Sequence, residues 1–209
     1  MNMVSILETS GGELPNNVDD YRSYCWDAAV HTFATAKIFN RRARLLRKRV
    51  RRLTFLGIVV PASVGSVVLS LGTDSVFISL ALVAASVVAT IQLVFSIWAL
   101  SNNWHDDLGY SLESGAENNE LSRQYQQLAR NPPDDLHTFV SEKDHLDLRN
   151  RWREGRDSKQ GVTPEELRAG HRQALFFFER TCPKCNKEPE SLHPSDCDSC
   201  GNFPRRYVK

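Results

Sequence analysis

The stretch LTFLGIVVPASVGSVVLSLGTDSVFISLALVAASVVATIQLVFSIWAL, residues 53–100, carries one charged side chain, Asp74. That aspartate sits in a short polar break, Gly72-Thr73-Asp74-Ser75, between apolar runs at 53–71 and 76–100. A helix needs roughly 20 mainly apolar residues to cross a bilayer, because lipid offers no partner for unpaired backbone groups. The first run is about the minimum length, and the second can cross with some tilt. Two such runs joined by turn residues predict a transmembrane hairpin. The competing reading is a buried core hairpin. It is the weaker one, because core helices of small domains rarely run this long without a charge on their outer face.

Outside this stretch the chain changes character. Its 209 residues are 24% charged with a net charge of +1. That average suits a mostly water-soluble protein, so it hides a nearly uncharged hairpin inside a chain dense in Arg, Glu and Asp. The apolar run starts some 50 residues in, which does not fit a cleavable secretory signal. Residue 2 is Asn and the chain ends Tyr-Val-Lys, so no lipidation pattern stands out. Just before Leu53 lie Arg41, Arg42, Arg44, Arg47, Lys48, Arg49, Arg51 and Arg52. The positive-inside rule puts this block in the cytoplasm. The hairpin returns the chain, so a multi-pass protein with both termini cytoplasmic is expected. The same block has two further readings. One is contact with anionic lipid, at roughly 1 kcal/mol per residue near the surface. The other is a ring of arginines that binds phosphate groups when copies assemble.

The order of segments follows from composition. Residues 1–18, with Gly11-Gly12 and Pro15, read as a loose leader. A long basic helix is expected over 19–52, with Asp19 and Asp20 suiting its first turn by charge. Its apolar residues follow a heptad: Cys25, Thr32, Phe39, Leu46 and Leu53 at one position, Ala29, Ala36, Ala43 and Val50 at the other. That spacing makes one narrow seam, and alanine at half its positions lets a partner helix come close. The partner lies either within the same subunit or in a neighbouring one. In the hairpin, Gly57, Pro61 and Gly65 at four-residue spacing suit close helix packing. Ser86, Thr90, Gln92 and Ser96 are the candidate lining of a water path.

A helical region is expected over 101–178. Its first helix spans 102–130, with Trp104, Leu108, Leu121, Tyr125 and Leu128 as buried candidates, and Asn131-Pro132-Pro133 stops it. A second helix is expected over 134–153. A third opens at Thr163-Pro164-Glu165-Glu166, with Thr163 as cap, proline at the first helical position and Glu166 closing a capping box.

The last segment, 179–209, holds Cys182-Pro183-Lys184-Cys185, an eleven-residue spacer, and Cys197-Asp198-Ser199-Cys200. Two such knuckles supply four thiolates, enough for a closed tetrahedral zinc site. The alternatives are two disulfides or a redox pair. A cytoplasmic setting disfavours stable disulfides, and the short spacer suits one four-sulfur site. A closed site leaves no open position for substrate, so the metal is expected to be structural. His193 in the spacer is expected at the surface, and the lone Cys25 in packing. The sequence holds no Gly-rich phosphate loop, no His-Glu-x-x-His and no Gly-x-Ser-x-Gly, which argues against an enzyme. The fold expected from these parts is an all-α membrane protein: long cytoplasmic helix, two-helix transmembrane hairpin, cytoplasmic helices and a small C-terminal zinc ribbon.

Taken together, the hairpin, the flanking helices and the pattern of Cys182, Cys185, Cys197 and Cys200 resemble the mobilome zinc-ribbon branch of the SLATT proteins, the SMODS and SLOG-associating two-transmembrane effectors. The resemblance implies a pore-forming effector of bacterial anti-phage defence, located in the inner membrane. Its implied partners are a nucleotidyltransferase or a nucleotide sensor, together with the nucleotide or oligonucleotide product. The expected function is therefore a homo-oligomeric ion channel gated from the cytoplasm by such a signal. The alternative is a membrane-anchored zinc-ribbon adaptor that tethers a partner protein or nucleic acid.

Overall fold

The structure, a computed structural model, describes residues 17–71 and 76–208, with the side chains of 64, 67–71, 76–78, 81, 99 and 100 outside that set. Most of the leader and the turn holding Asp74 therefore lie outside the described residues. Five α-helices follow in order: α1 (Val18–Leu71), α2 (Val76–Ser101), α3 (Trp104–Arg130), α4 (Leu136–Asp157) and α5 (Pro164–Phe177). Short 3-10 turns at Ser158–Gln160 and Arg205–Tyr207 complete the secondary structure, and no strand forms among the described residues. The chain divides into two compact units, Met1–Ile38 with Ser114–Lys209, and Phe39–Glu113.

In the first unit the seam of α1 is buried inside its own chain. Cys25 and Ala29 join Leu121, Tyr125, Leu128, Ala129, Phe139 and Leu146 in one apolar cluster. The Ser122 hydroxyl donates to the Ala29 carbonyl at 2.8 Å, so the small side chain of Ala29 lets α3 approach the α1 backbone. Thr32 and Ala36 continue the buried row. Burial in this cluster pushes the Cys25 thiol up to about 12, as expected of a packing residue.

Local signals place the remaining helices. Asp135 caps α4, accepting from the Thr138 amide at 2.9 Å and the Thr138 hydroxyl at 2.8 Å. These bonds hold its carboxyl below the usual range. Gly161, at φ 55°, turns the chain from α4 towards α5 in a backbone conformation that favours glycine. The capping box of α5 is formed: the Glu166 amide donates to Thr163 Oγ1 at 3.3 Å, and the Thr163 amide to Glu166 Oε2 at 3.0 Å. Gly170 then lets α5 lie close against α1. A methyl group there would stand 2.7 Å from Ile38 Cγ1 and 2.8 Å from the Ala34 carbonyl oxygen.

A polar network ties α3 to α4. Arg153, 1% exposed, donates from Nε to Asp157 Oδ1 at 3.2 Å and from its terminal nitrogen to Glu117 Oε2 at 2.6 Å. Asp157 also accepts from the Ser114 hydroxyl at 2.9 Å and from Asn118 Nδ2 at 2.8 Å. Buried charge is tolerated here because each group meets partners of opposite sign or polarity.

The second unit contains the rest of α1, all of α2 and the start of α3. The seam continues with Phe39 and Ala43 buried, and Phe39 meets Tyr110 at 5.8 Å between ring centroids. Pro61 lies inside α1. The transmembrane hairpin expected from the sequence is not supported, since among the described residues no helix is long and apolar enough to cross a membrane. The membrane-protein fold class and the inner-membrane location with cytoplasmic termini fall with the hairpin. The core-hairpin alternative is not realised within the single chain either: Ile58 is 66% exposed, Leu80 71% and Val83 63%.

Candidate metal centre

The end of α5 delivers the chain directly into the first cysteine knuckle. The Arg180 amide donates to the Leu175 carbonyl at 3.0 Å, with Glu179 in a left-handed conformation at φ 51°. The Asn186 amide then reaches back to the Cys182 carbonyl at 2.8 Å, and the Cys182 amide to the Lys187 carbonyl at 3.0 Å. The second knuckle repeats this closure, the Gly201 amide donating to the Cys197 carbonyl at 2.8 Å. Both knuckles are therefore five-residue turns with a cysteine at positions one and four, which points two sulfurs from each turn the same way.

Position five differs between them. Asn186 adopts φ 53°, a conformation that asparagine tolerates. Gly201 is needed for space instead. A Cβ there would lie 2.0 Å from Ser195 Oγ and 2.4 Å from the Ser195 carbonyl oxygen.

The four sulfurs of Cys182, Cys185, Cys197 and Cys200 all lie within 4.8 Å of one another, and every cysteine is a free thiol. The Cys182–Cys197 pair is 4.0 Å apart and the Cys185–Cys200 pair 3.9 Å. A zinc–sulfur bond of about 2.3 Å implies a tetrahedron with sulfur–sulfur edges of roughly 3.8 Å, so the donor set fits one zinc ion. Disulfides are excluded by the same separations, since a bonded pair sits at about 2.05 Å. Burial acts against ionisation of Cys197, but the amides of Cys200 and Ser199 aim at its sulfur and bring the thiol down to about 7. Burial, reinforced by the neighbouring Cys182 and Cys197 thiols, raises that of Cys200. A zinc ion bound here would hold both turns together through four thiolates, with no coordination position left for substrate. His193 is exposed and outside the cluster.

Two residues of the site were not read from the sequence. Arg168 and Arg172, one turn apart on α5, both reach the second knuckle. Arg168 donates to the Asp198 carbonyl at 2.7 Å and the Asn202 carbonyl at 3.0 Å. Arg172, 8% exposed, donates to the Ser191 carbonyl at 2.9 Å, Ser195 Oγ at 3.1 Å and the Cys200 carbonyl at 3.4 Å. Their four-residue spacing was the available signal, but it also suits two solvated arginines on a helix face. Apolar contacts complete the docking. Leu175 packs on Cys182 and Cys200, and Ala169 on Phe203 and Tyr207.

The candidate lining and basic-block residues lie in the second unit. Ser86 and Thr90 donate to carbonyls of their own helix, Leu82 at 2.7 Å and Ser86 at 2.8 Å. Gln92 is half-buried, with its Nε2 3.2 Å from where a Gly57 Cβ would stand, so it packs against α1. Ser96 is exposed. In the basic block, Arg44, Arg47, Lys48, Arg49, Arg51 and Arg52 are exposed, while Arg41 and Arg42 are half-buried. Arg49 lies over the Trp104 ring at 5.6 Å and Arg42 over Phe39 at 5.8 Å. Four of the five buried candidates of α3 divide by depth: Leu121, Tyr125 and Leu128 are buried and Trp104 is half-buried; the fifth, Leu108, is also half-buried.

A family model described as Mobilome CxxCx(11)CxxC protein matches residues 22–203. The match covers the helices as well as the cysteines. The chain belongs to the Mobilome CxxCx(11)CxxC family. Its four cysteines stand at the spacing the family description prints, with eleven residues between the pairs. No curated protein and no solved structure matches the chain.

Proposed function

We propose that this Mobilome CxxCx(11)CxxC protein is a non-catalytic adaptor that works as a homo-oligomer in bacterial anti-phage defence. The observation that carries the reading is the closed four-thiolate site, docked on α5 by side chains that bond the ribbon backbone. Such a site stabilises a binding surface and offers no position for chemistry. A pore needs a membrane-crossing path. Without the hairpin that would supply one, the adaptor alternative is the reading carried forward, and it is carried without a membrane anchor.

Self-association rests on the second unit. Exposed Phe55, Ile58, Leu80, Val83, Leu93 and Ile97 exceed the scattered apolar residues usual on a monomer surface. Ala84, Ser86 and Ala89 on α2 are small enough for a second copy's helix to approach. The defence role and the partner class, a nucleotide-polymerising enzyme or a nucleotide sensor, rest on the resemblance to the SLATT proteins.

The test is phage plating on bacteria that carry the chain with its neighbouring genes. Protection by the wild type, lost in Cys182→Ser and in Cys197→Ser, supports the adaptor. Protection unchanged in both variants, or no protection by the wild type, overturns it. Light scattering on the purified protein checks the assembly, and a monomer at all concentrations removes the oligomer from the proposal.

A further inference from the structure

Beyond the four ligands, the two cysteine knuckles are held in different ways. The first is joined to α5 by the chain itself, opening two residues after Arg180, whose amide bonds the Leu175 carbonyl and closes the helix end. The second knuckle opens 15 residues after the first, and α5 grips it from the side. Arg172 and Arg168 together bond the backbone or side chain of Ser191, Ser195, Asp198, Cys200 and Asn202. These residues bracket Cys197 and Cys200 on both sides. We propose that Arg172 and Arg168 are positioning residues for the metal, which hold the second knuckle in its liganding geometry and so set zinc affinity.

Geometry and charge support this together. Guanidinium is a rigid planar fork, so bonds to two or three acceptors fix the spacing of those acceptors. Arg172 spans the chain before Cys197 through Ser191 and Ser195, and the chain at Cys200 through its carbonyl. Losing it frees the end of the spacer and the second ligand turn at once. Zinc with four thiolates carries a net charge of about −2, counting the ion and its four ligands. Two guanidinium groups against the knuckle backbone offset that charge where burial would otherwise penalise it. Groups that orient metal ligands typically contribute 10–100-fold in affinity. This inference concerns how the site is built and does not depend on the adaptor reading.

The experiment uses the full-length protein. Zinc affinity is measured by competition with a chromophoric chelator. Cobalt substitution gives a second readout, because its visible and thiolate charge-transfer bands report a four-sulfur tetrahedral site. Arg172→Lys keeps the charge and loses the fork, while Arg168→Gln changes a half-buried side chain and spares the core. The expected result is zinc binding weakened about 10–100-fold in Arg172→Lys and by a smaller factor in Arg168→Gln. Both variants should show altered cobalt bands, with the far-ultraviolet helical signal of the metal-free protein unchanged. Wild-type affinity and wild-type cobalt bands in both variants overturn the proposal. So does a loss confined to Arg172→Lys that tracks a loss of helical signal, because the arginine would then serve only the fold.

Discussion

In the unit that carries the zinc site, α1 lays Cys25 and Ala29 against α3, and even Arg153 and Asp157 are buried among partners. In the unit formed by Phe39–Glu113, the same helix and α2 hold Ile58, Leu80 and Val83 out in the open. The contrast is one of supply. The first unit has five segments available to cover one another: two helix portions, α4, α5 and the ribbon. The second has two helix portions and α2, too few to enclose long apolar faces. Stability in the first unit is therefore internal to the chain. The exposed apolar side chains of the second unit stabilise nothing until another surface covers them.

The largest expected effect comes from the metal, and it should stay within the first unit. Structural zinc sites in small peptides contribute on the order of 10–16 kcal/mol to folding. Stripping zinc with a chelator should abolish protection from hydrogen exchange over residues 182–203. The amides of α3 and α4 should keep theirs, because their cluster of Leu121, Tyr125, Phe139 and Leu146 contains no ligand. Loss of protection throughout α1, α3 and α4 would break the comparison, since the unit would then depend on the ribbon for its core.

Next comes Asp157→Ala. Removing one partner of a buried ion pair costs about 3–5 kcal/mol, because the remaining charge stays desolvated. Arg153 would keep Glu117 at 2.6 Å, while Ser114 and Asn118 would lose a shared acceptor. The measurement is the midpoint of urea unfolding, and a change under about 1 kcal/mol would show that water can replace the carboxylate.

How much of this was legible in the sequence depends on how local each signal is. The cysteine knuckles, the capping box at Thr163 and the stop at Asn131-Pro132-Pro133 each act within a few residues, and the structure forms them where they stand. The heptad of α1 was legible as a seam, but a seam states that a face is covered and leaves open what covers it. Here α3 of the same chain does so through Ser122 and Tyr110. The apolar stretch 53–100 was misread for the same reason. Apolarity signals avoidance of water and does not by itself name the covering medium. Arg153, Asp157 and Arg172 were invisible because a charged residue on a helix usually faces solvent. Apart from the Arg153–Asp157 pair, four residues apart, their partners lie 19 to 43 positions away in sequence, beyond any helical period.

A smaller effect is expected from pH, again in the first unit. His171 is half-buried on α5, its buried Nε2 has no hydrogen-bond partner among the described residues, and its pKa is lowered from 6.5 by burial and by nearby His31. His31 is itself 3.4 Å from Glu154, which also accepts from Asn150. The folded state thus resists protonating His171, while the unfolded chain takes up the proton near pH 6.5. Its contribution is present above that pH and is lost as pH falls below it towards the folded value. Urea midpoints compared between about pH 5 and about pH 8 should fall on the acid side. They should fall less in His171→Gln, and equal slopes in the two proteins would mean that folding does not shift the imidazole's affinity for its proton.

The least effect on folding should come from the exposed side chains of the second unit. Leu80→Ser and Val83→Ser remove apolar surface that the single chain leaves in solvent, 71% and 63% exposed. Surface substitutions of this kind usually change stability by within about 0.5 kcal/mol. Under the proposed self-association, the same pair should lower the mass seen by light scattering at a given concentration. The two readouts separate the two units' logic: the Asp157 change should move stability and leave mass alone, and the Leu80 and Val83 changes should do the reverse. If the serine variants lost several kcal/mol with no change in mass, these side chains would be packed within the chain after all. The second unit would then be built like the first.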